Sequence, residues 1–165
     1  MEMDIRKLCF HCFQEKANPA VVCPHCGYNP ASQGQYPLAL PAGSVLAGRY
    51  IVGRVLGQGG FGVTYVALDV QQKIRVAVKE YMPETMATRQ TGTLQVTAFS
   101  GAQTENFSYG KDQFLEEART LAKFAGVGGI VSVHTYFEEN GTAYFAMEYV
   151  KAPASRALSS RAAVR

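Results

Sequence analysis

Four cysteines open the chain in two pairs, Cys9 with Cys12 and Cys23 with Cys26, each pair two residues apart with ten residues between them. A Cys-x-x-Cys turn aims two sulfurs at one point, so two such turns offer the tetrahedral thiolate set that Zn²⁺ prefers. Gly27, directly after Cys26, lets the second turn fold back beneath a metal. The ion would be structural, because four thiolates leave no open position for a substrate. Residues 1–27 are also too few to bury a sufficient core without it. Two disulfides, four free thiols and an iron–sulfur cluster are the alternatives for the same residues. Bridges across such short pairs are strained and a reducing compartment disfavours them, and nothing nearby suggests redox chemistry. His11 and His25 lie inside the turns and are expected as exposed turn residues rather than ligands.

A second constellation is the run Leu56-Gly57-Gln58-Gly59-Gly60-Phe61-Gly62. Glycines at this spacing can cradle phosphates, but the spacing alone also fits dinucleotide-binding folds and ordinary turns. The residues that follow discriminate. Val63-Thr64-Tyr65-Val66 is β-branched and aromatic, which favours a strand over the helix that a dinucleotide fold requires. The glycines therefore sit at the tip of a β-hairpin, with backbone amides free to close over a phosphate.

The elements that must hold these residues follow from periodicity. Residues 50–56 and 63–68 read as strands flanking the glycines. Ile74, Val76 and Val78 alternate against Arg75, Ala77 and Lys79, predicting a third strand over 74–81. The stretch 83–110 has little periodicity and reads as a long insertion with a short strand near 93–99. Asp112 is expected to open a helix whose apolar stripe is Phe114, Ala118, Leu121, Ala122 and Ala125, ending at Gly126, Gly128 and Gly129. Glu117 shares the inward face of that stripe, whereas Glu116 lies on the polar side with Arg119 and Lys123. Residues 130–137 and 142–150 are two further strands around Asn140-Gly141, a strong hairpin signal. The fold class expected is α+β: a five-stranded antiparallel sheet with one helix.

Taken in order, the glycine run, Ala77-Val78-Lys79, Glu117 in Phe114-Leu115-Glu116-Glu117-Ala118, and Met147-Glu148-Tyr149-Val150 resemble the front half of a protein kinase domain. Residues 49–150 look like the N-terminal lobe of a bacterial serine/threonine protein kinase. Lys79-Glu80-Tyr81-Met82-Pro83 and Asn140-Gly141-Thr142-Ala143-Tyr144 are similar to a bacterial subgroup with a long segment before the helix, and zinc ribbons precede kinase domains in such proteins. The resemblance implies that Gly57, Gln58, Gly59, Gly60, Phe61 and Gly62 cover ATP phosphates and that Lys79 grips them while paired with Glu117. It implies that Leu56, Thr64 and Ala77 border the adenine, that Met147 is the gatekeeper, and that the backbone at Glu148 and Val150 is the hinge. Thr64 stands where most kinases have valine, and Gly126-Val127-Gly128-Gly129 replaces a His-Pro-Asn turn. No His-Arg-Asp, Asp-Phe-Gly or Ala-Pro-Glu follows in the 165 residues. The residues that orient the hydroxyl and hold Mg²⁺ are thus expected only from a second lobe, and the chain alone is expected to bind ATP weakly and to transfer no phosphoryl group.

Composition bounds the rest. The apolar fraction of 47% argues against disorder throughout. A formal charge of +3 is too small to argue for nucleic acid, and no apolar run is long enough to cross a bilayer. No secretory signal is visible in residues 1–7, so the cytoplasm is the expected compartment. The divisions expected are a zinc ribbon (1–27), an uncharged Pro/Gly linker that leaves ribbon and lobe independent (28–48), the lobe (49–150) and a disordered Ala/Ser/Arg-rich tail (151–165). That tail fits readthrough of a shifted frame as well as a genuine tail. Two functions follow: the ATP-binding lobe of a protein kinase that phosphorylates protein substrates, or a non-catalytic ribbon–lobe module that binds a protein partner at an exposed hinge surface.

Overall fold

The computed structural model describes residues 4–18, 21–32, 36–90, 92–124 and 132–150. The expected turn at 126–129 and the tail 151–165 lie outside the described residues. Among the described residues, single turns of 3-10 helix at Ile5–Lys7 and Pro30–Ser32 precede eight strands and one helix. The strands are β1 (Val45–Leu46), β2 (Tyr50–Gly59), β3 (Gly62–Asp69), β4 (Ile74–Tyr81), β5 (Ala87–Arg89), β6 (Val96–Ala98), β7 (Val133–Glu139) and β8 (Thr142–Glu148), with α1 spanning Ala102–Lys123.

The main sheet has the order β1-β2-β3-β4-β8-β7 and is antiparallel throughout. Five of its strands are those expected. The sixth, β1, comes from the segment read as a linker and pairs with β2. β7 and β8 meet at Asn140-Gly141, where both residues have positive φ (55° and 75°), the conformation of a type I′ hairpin turn. β5 and β6 form a separate hairpin held to that turn, with the Val96 amide donating to the Asn140 carbonyl at 2.8 Å.

The helix departs from expectation at its start, which lies ten residues before Asp112. Phe107 is buried and continues the stripe of Phe114 and Ala118 back by two turns. Gly110, at the end of the stretch read as an insertion, lies within the helix. In the helix it leaves room for the Tyr81 hydroxyl, which a Cβ there would strike, and that hydroxyl donates to the Phe107 carbonyl at 3.0 Å. Tyr81, Phe114 and Phe145 then form a tilted aromatic series with centroid distances of 5.6 and 5.1 Å. This series seats α1 against the sheet.

Residues 36–46 pack on the lobe rather than spanning free space: Leu40 and Leu46 are buried in its main core. They are fastened there through a buried charge. Glu80 continues the inward parity of Val76 and Val78, and its carboxylate is fully enclosed. Oε1 accepts from the Tyr65 hydroxyl (2.8 Å) and Arg89 Nη2 (2.6 Å), and Oε2 accepts from the Tyr144 hydroxyl (2.7 Å). Arg89 spends its other donors on the carbonyls of Leu38 (2.9 Å) and Leu94 (2.6 Å), while the Leu40 amide donates to the Tyr65 oxygen (2.8 Å). Burial, reinforced by the Glu80 charge, pushes both tyrosine hydroxyls well above their usual range, so they remain donors. Replacing Arg89 by Met leaves the Glu80 charge buried without its cation. Unfolding by urea should show a loss of about 3–5 kcal/mol, and much less when Glu80 is made Gln in the same chain.

Candidate functional site

The two cysteine turns are built alike. In the first, the Cys9 amide donates to the Gln14 carbonyl (2.9 Å) and the Phe13 amide to the Cys9 carbonyl (2.8 Å). In the second, Cys23 donates to Tyr28 and Gly27 to Cys23, both at 2.9 Å. Each turn ends in a left-handed residue after its second cysteine, Phe13 (φ 62°) and Gly27 (φ 82°). The conformation costs a phenylalanine about 1 kcal/mol. Its ring offsets this by entering the core between ribbon and lobe. The amides of His11, His25 and Tyr28 each point at a cysteine sulfur, Cys9, Cys23 and Cys26 respectively, at 3.4 Å.

These turns bring the four sulfurs within 4.8 Å of one another, with Cys9–Cys26 and Cys12–Cys23 at 3.7 Å. A tetrahedron with Zn–S bonds of about 2.3 Å has its sulfurs about 3.8 Å apart. All four are free thiols, so the disulfide alternative does not hold. Burial opposes ionisation of Cys12, Cys23 and Cys26: it pushes Cys12 up to about 12 and Cys26 upward, while at Cys23 the amides of Cys26 and His25, with the neighbouring thiols, outweigh it and bring the thiol down to about 6. The residues present therefore fit a metal ion held by Cys9, Cys12, Cys23 and Cys26, and neither His11 nor His25 joins the set.

The ribbon does not stand apart from the lobe. Leu8 and Phe13 form a second core with Ile51 and Val66 of the sheet, with Phe10, Leu56, Leu68 and Tyr149 packed at its margin. The Arg54 amide donates to the Phe10 carbonyl at 2.8 Å, and Arg75 Nη1 donates to the His11 carbonyl at 3.2 Å. Gly53 makes the close approach possible, since a Cβ there would strike the Phe10 oxygen and lie 2.8 Å from the Phe13 ring. The expected independence of ribbon and lobe gives way to one packed unit, because this apolar face of the sheet needs cover.

The glycine run turns between β2 and β3, with Gly59 opposite Gly62. Gly57, Gln58, Gly59 and Gly60 lead to Phe61, which is 70% exposed at the tip. Gly62 sits against the Glu80 backbone, too close for a Cβ. Register places Thr64 opposite Lys79 and Ala77 opposite Met147. Thr64, Ala77 and Met147 are buried, Leu56 is half-buried, and Glu148 and Val150 are exposed at the end of the β8 segment. Lys79 Nζ lies 5.9 Å from the centre of the Phe145 ring.

Lys79 and Glu117 both border a cavity of about 740 Å³ between β4 and α1, together with Phe61, Tyr81, Tyr109 and Phe114. The expected Lys79–Glu117 ion pair is not formed among the described residues. Helix α1 rests on β7 and β8 and touches β6. The aromatic series occupies the space beneath it, and the Glu117 edge stays exposed on the far side of the cavity. Glu116 pairs with Arg119 at 2.5 Å and borders the same cavity, so the expected contrast of an inward Glu117 and an outward Glu116 gives way to two exposed carboxylates along its rim.

Three residues outside the sequence reading prove central. Glu80 was visible by strand parity as a carboxylate at a core position. Arg89 and Arg75 carried no such signal, because their partners are 51 and 64 residues away in the chain.

No protein-family model matches the chain. Among solved structures it is similar to PpkA-294 in its apo form, with 35% identity and a TM-score of 0.63 over 68% of this chain and 39% of that one. Two variants of the Mycobacterium tuberculosis PknI kinase domain match 68% of the chain at 27% and 26% identity, each with a TM-score of 0.47. The chain spans 36–39% of the length of these structures. It carries the N-terminal-lobe fold of the bacterial serine/threonine protein kinases, with a four-cysteine ribbon seated on the sheet.

Proposed function

We propose that this chain is the ATP-binding lobe of a serine/threonine protein kinase whose N-terminal ribbon holds a structural Zn²⁺. The observation that carries the reading is the register of β3, β4 and β8. It lines up Thr64, Lys79, Ala77 and Met147 beneath a glycine-tipped hairpin. An apolar slot for a base, a cation for phosphates and a ring of backbone amides then lie in sequence along one sheet. Leu56, Thr64, Ala77 and Met147 would enclose the adenine, and the backbone of Glu148 and Val150 would pair with its edge. Gly57, Gln58, Gly59, Gly60, Phe61 and Gly62 would cover the phosphates, with Lys79 as their fixed positive charge.

Glu117 would hold Lys79 once α1 closes over the cavity that now separates them. Mg²⁺ neutralises phosphate charge in such reactions, and its ligands, like the acid that orients the acceptor hydroxyl, would come from a second lobe. No described helix is long and apolar enough to cross a membrane, and we place the protein in the cytoplasm, where reduced thiols suit zinc. The unmade Lys79–Glu117 pair favours a second reading, a non-catalytic module whose hinge surface at Glu148–Val150 binds a protein partner.

Elemental analysis of freshly purified protein should find one zinc per chain, and Cys23→Ser should abolish it. Because Ile51 and Val66 lose their cover when the ribbon opens, the same substitution should also destabilise the lobe by about 2 kcal/mol in chemical denaturation. A lobe of unchanged stability would contradict the shared core.

With radiolabelled ATP and Mg²⁺, the chain should transfer no phosphate to itself or to a generic protein. Binding of ATP should be weak, in the millimolar range that corresponds to about 4 kcal/mol, and weaker still in Lys79→Ala. Transfer above background that vanishes in Lys79→Ala would show a complete catalytic set within this chain and favour an active enzyme. ATP binding indifferent to Lys79 would favour the module.

A further inference from the structure

Arg75 lies on β4 with its side chain on the same sheet face as Ala77 and Lys79, by strand alternation. It makes two contacts at once. Nη1 donates to the carbonyl of His11, a residue inside the first cysteine turn, at 3.2 Å. The guanidinium carbon stands 4.8 Å from the centre of the Tyr149 ring. Tyr149 lies between Glu148 and Val150, and it is half-buried at the margin of the ribbon–sheet core together with Leu56. One planar cation therefore bridges the backbone of the metal turn and the segment that follows β8.

We infer that Arg75 is a positioning residue that ties residues 148–150 to the cysteine turn, so that metal occupancy sets how firmly this segment is held. The inference rests on the proposed reading of residues 148–150 as the hinge that meets adenine. The physical basis is geometric. The His11 carbonyl points at Arg75 only while Cys9 and Cys12 keep their turn, and a metal bound to both sulfurs fixes that turn. Without it the carbonyl is free to rotate away, and Arg75 loses the bond that holds its plane over Tyr149. A lysine cannot substitute fully, since it has no planar group to present to the ring while donating to the carbonyl. Leu56, on the opposite border of the slot, leans on the same ribbon core. The ribbon thereby touches both borders of the proposed adenine site.

The chain contains no tryptophan, so Tyr149→Trp in these 165 residues supplies a single indole that reports on this contact. In the zinc-loaded protein, quenching by acrylamide should be low and should rise on chelation of the zinc. Adding Arg75→Gln should raise quenching with zinc still bound. It should also cut the zinc-dependent rise by roughly two- to fivefold, the factor that a half-exposed cation–π contact is worth. Zinc content and circular dichroism are read on the same samples. Arg75→Lys should fall between the two, and it decides the matter if Arg75→Gln does not fold. A zinc-dependent rise of the same size with and without Arg75, or no rise at all, overturns the inference. A fluorescent ATP analogue titrated into the same proteins separates the two layers. If the zinc-loaded parent binds none, the nucleotide reading falls while the indole result still decides the coupling. If it binds, Arg75→Gln should weaken binding by a similar factor.

Discussion

The Glu80 carboxylate, enclosed at the centre of the lobe, is the interaction on which the remaining architecture hangs. A buried charge is tolerated only when paired and fully hydrogen-bonded, and here the partners come from three separate parts of the chain. Tyr65 lies on β3, Tyr144 on β8, and Arg89 on the small hairpin, while Arg89 and Tyr65 in turn bind the backbone of Leu38 and Leu40. Meeting the needs of one carboxylate thus places the segment before the sheet and the hairpin after it. Such a network specifies one arrangement because any other leaves a charge unsatisfied. It also explains why an uncharged, proline-punctuated stretch is packed: its backbone supplies an acceptor and a donor to the centre.

The two faces of the sheet do different work. One carries Val76, Val78 and Glu80 toward residues 36–46 and Arg89. The other carries Arg75, Ala77, Lys79 and Tyr81; α1 packs on it through Tyr81 and Phe145, and the ribbon covers its other part around Ile51 and Val66. The ribbon docks on this face at Ile51 and Val66, and the missing Cβ of Gly53 gives the Phe10 carbonyl room to approach. A small metal-held unit with little core of its own gains one by sharing Phe13 and Leu8 with the lobe.

Helix α1 shows how the same lobe can hold its site open. Its apolar contacts run through Phe107, Phe114 and Ala118, which bind it to β7 and β8. None of them draws Glu117 toward Lys79. An ion pair between exposed groups contributes little by itself, so closing the cavity requires packing that the described residues do not supply. The geometry is that of a lobe with its phosphate-binding lysine present and the carboxylate that would steady it held apart.

Local pattern alone determined much of this protein. The alternation over 74–81, the Asn140-Gly141 turn, the β-branched run after Gly62 and the paired cysteine turns each state their own structure, because the physics involved spans only a few residues. The candidate site residues were named by resemblance to the kinase family, and alternation and helix period gave only the faces on which they were expected. Tertiary structure decided what depends on distant partners. Residues 102–110 read as part of an insertion until Tyr81 fills the space at Gly110 and packs on Phe107, which seats the first turns of α1 on the sheet. Residues 36–46 read as a linker until Arg89 and Tyr65 claim their backbone. The parity of Glu80 pointed inward, but only the fold could bring Arg89 to meet it. Whether Lys79 touches Glu117 depends on where a helix rests, and that follows from aromatic packing across the sheet rather than from the spacing of either residue.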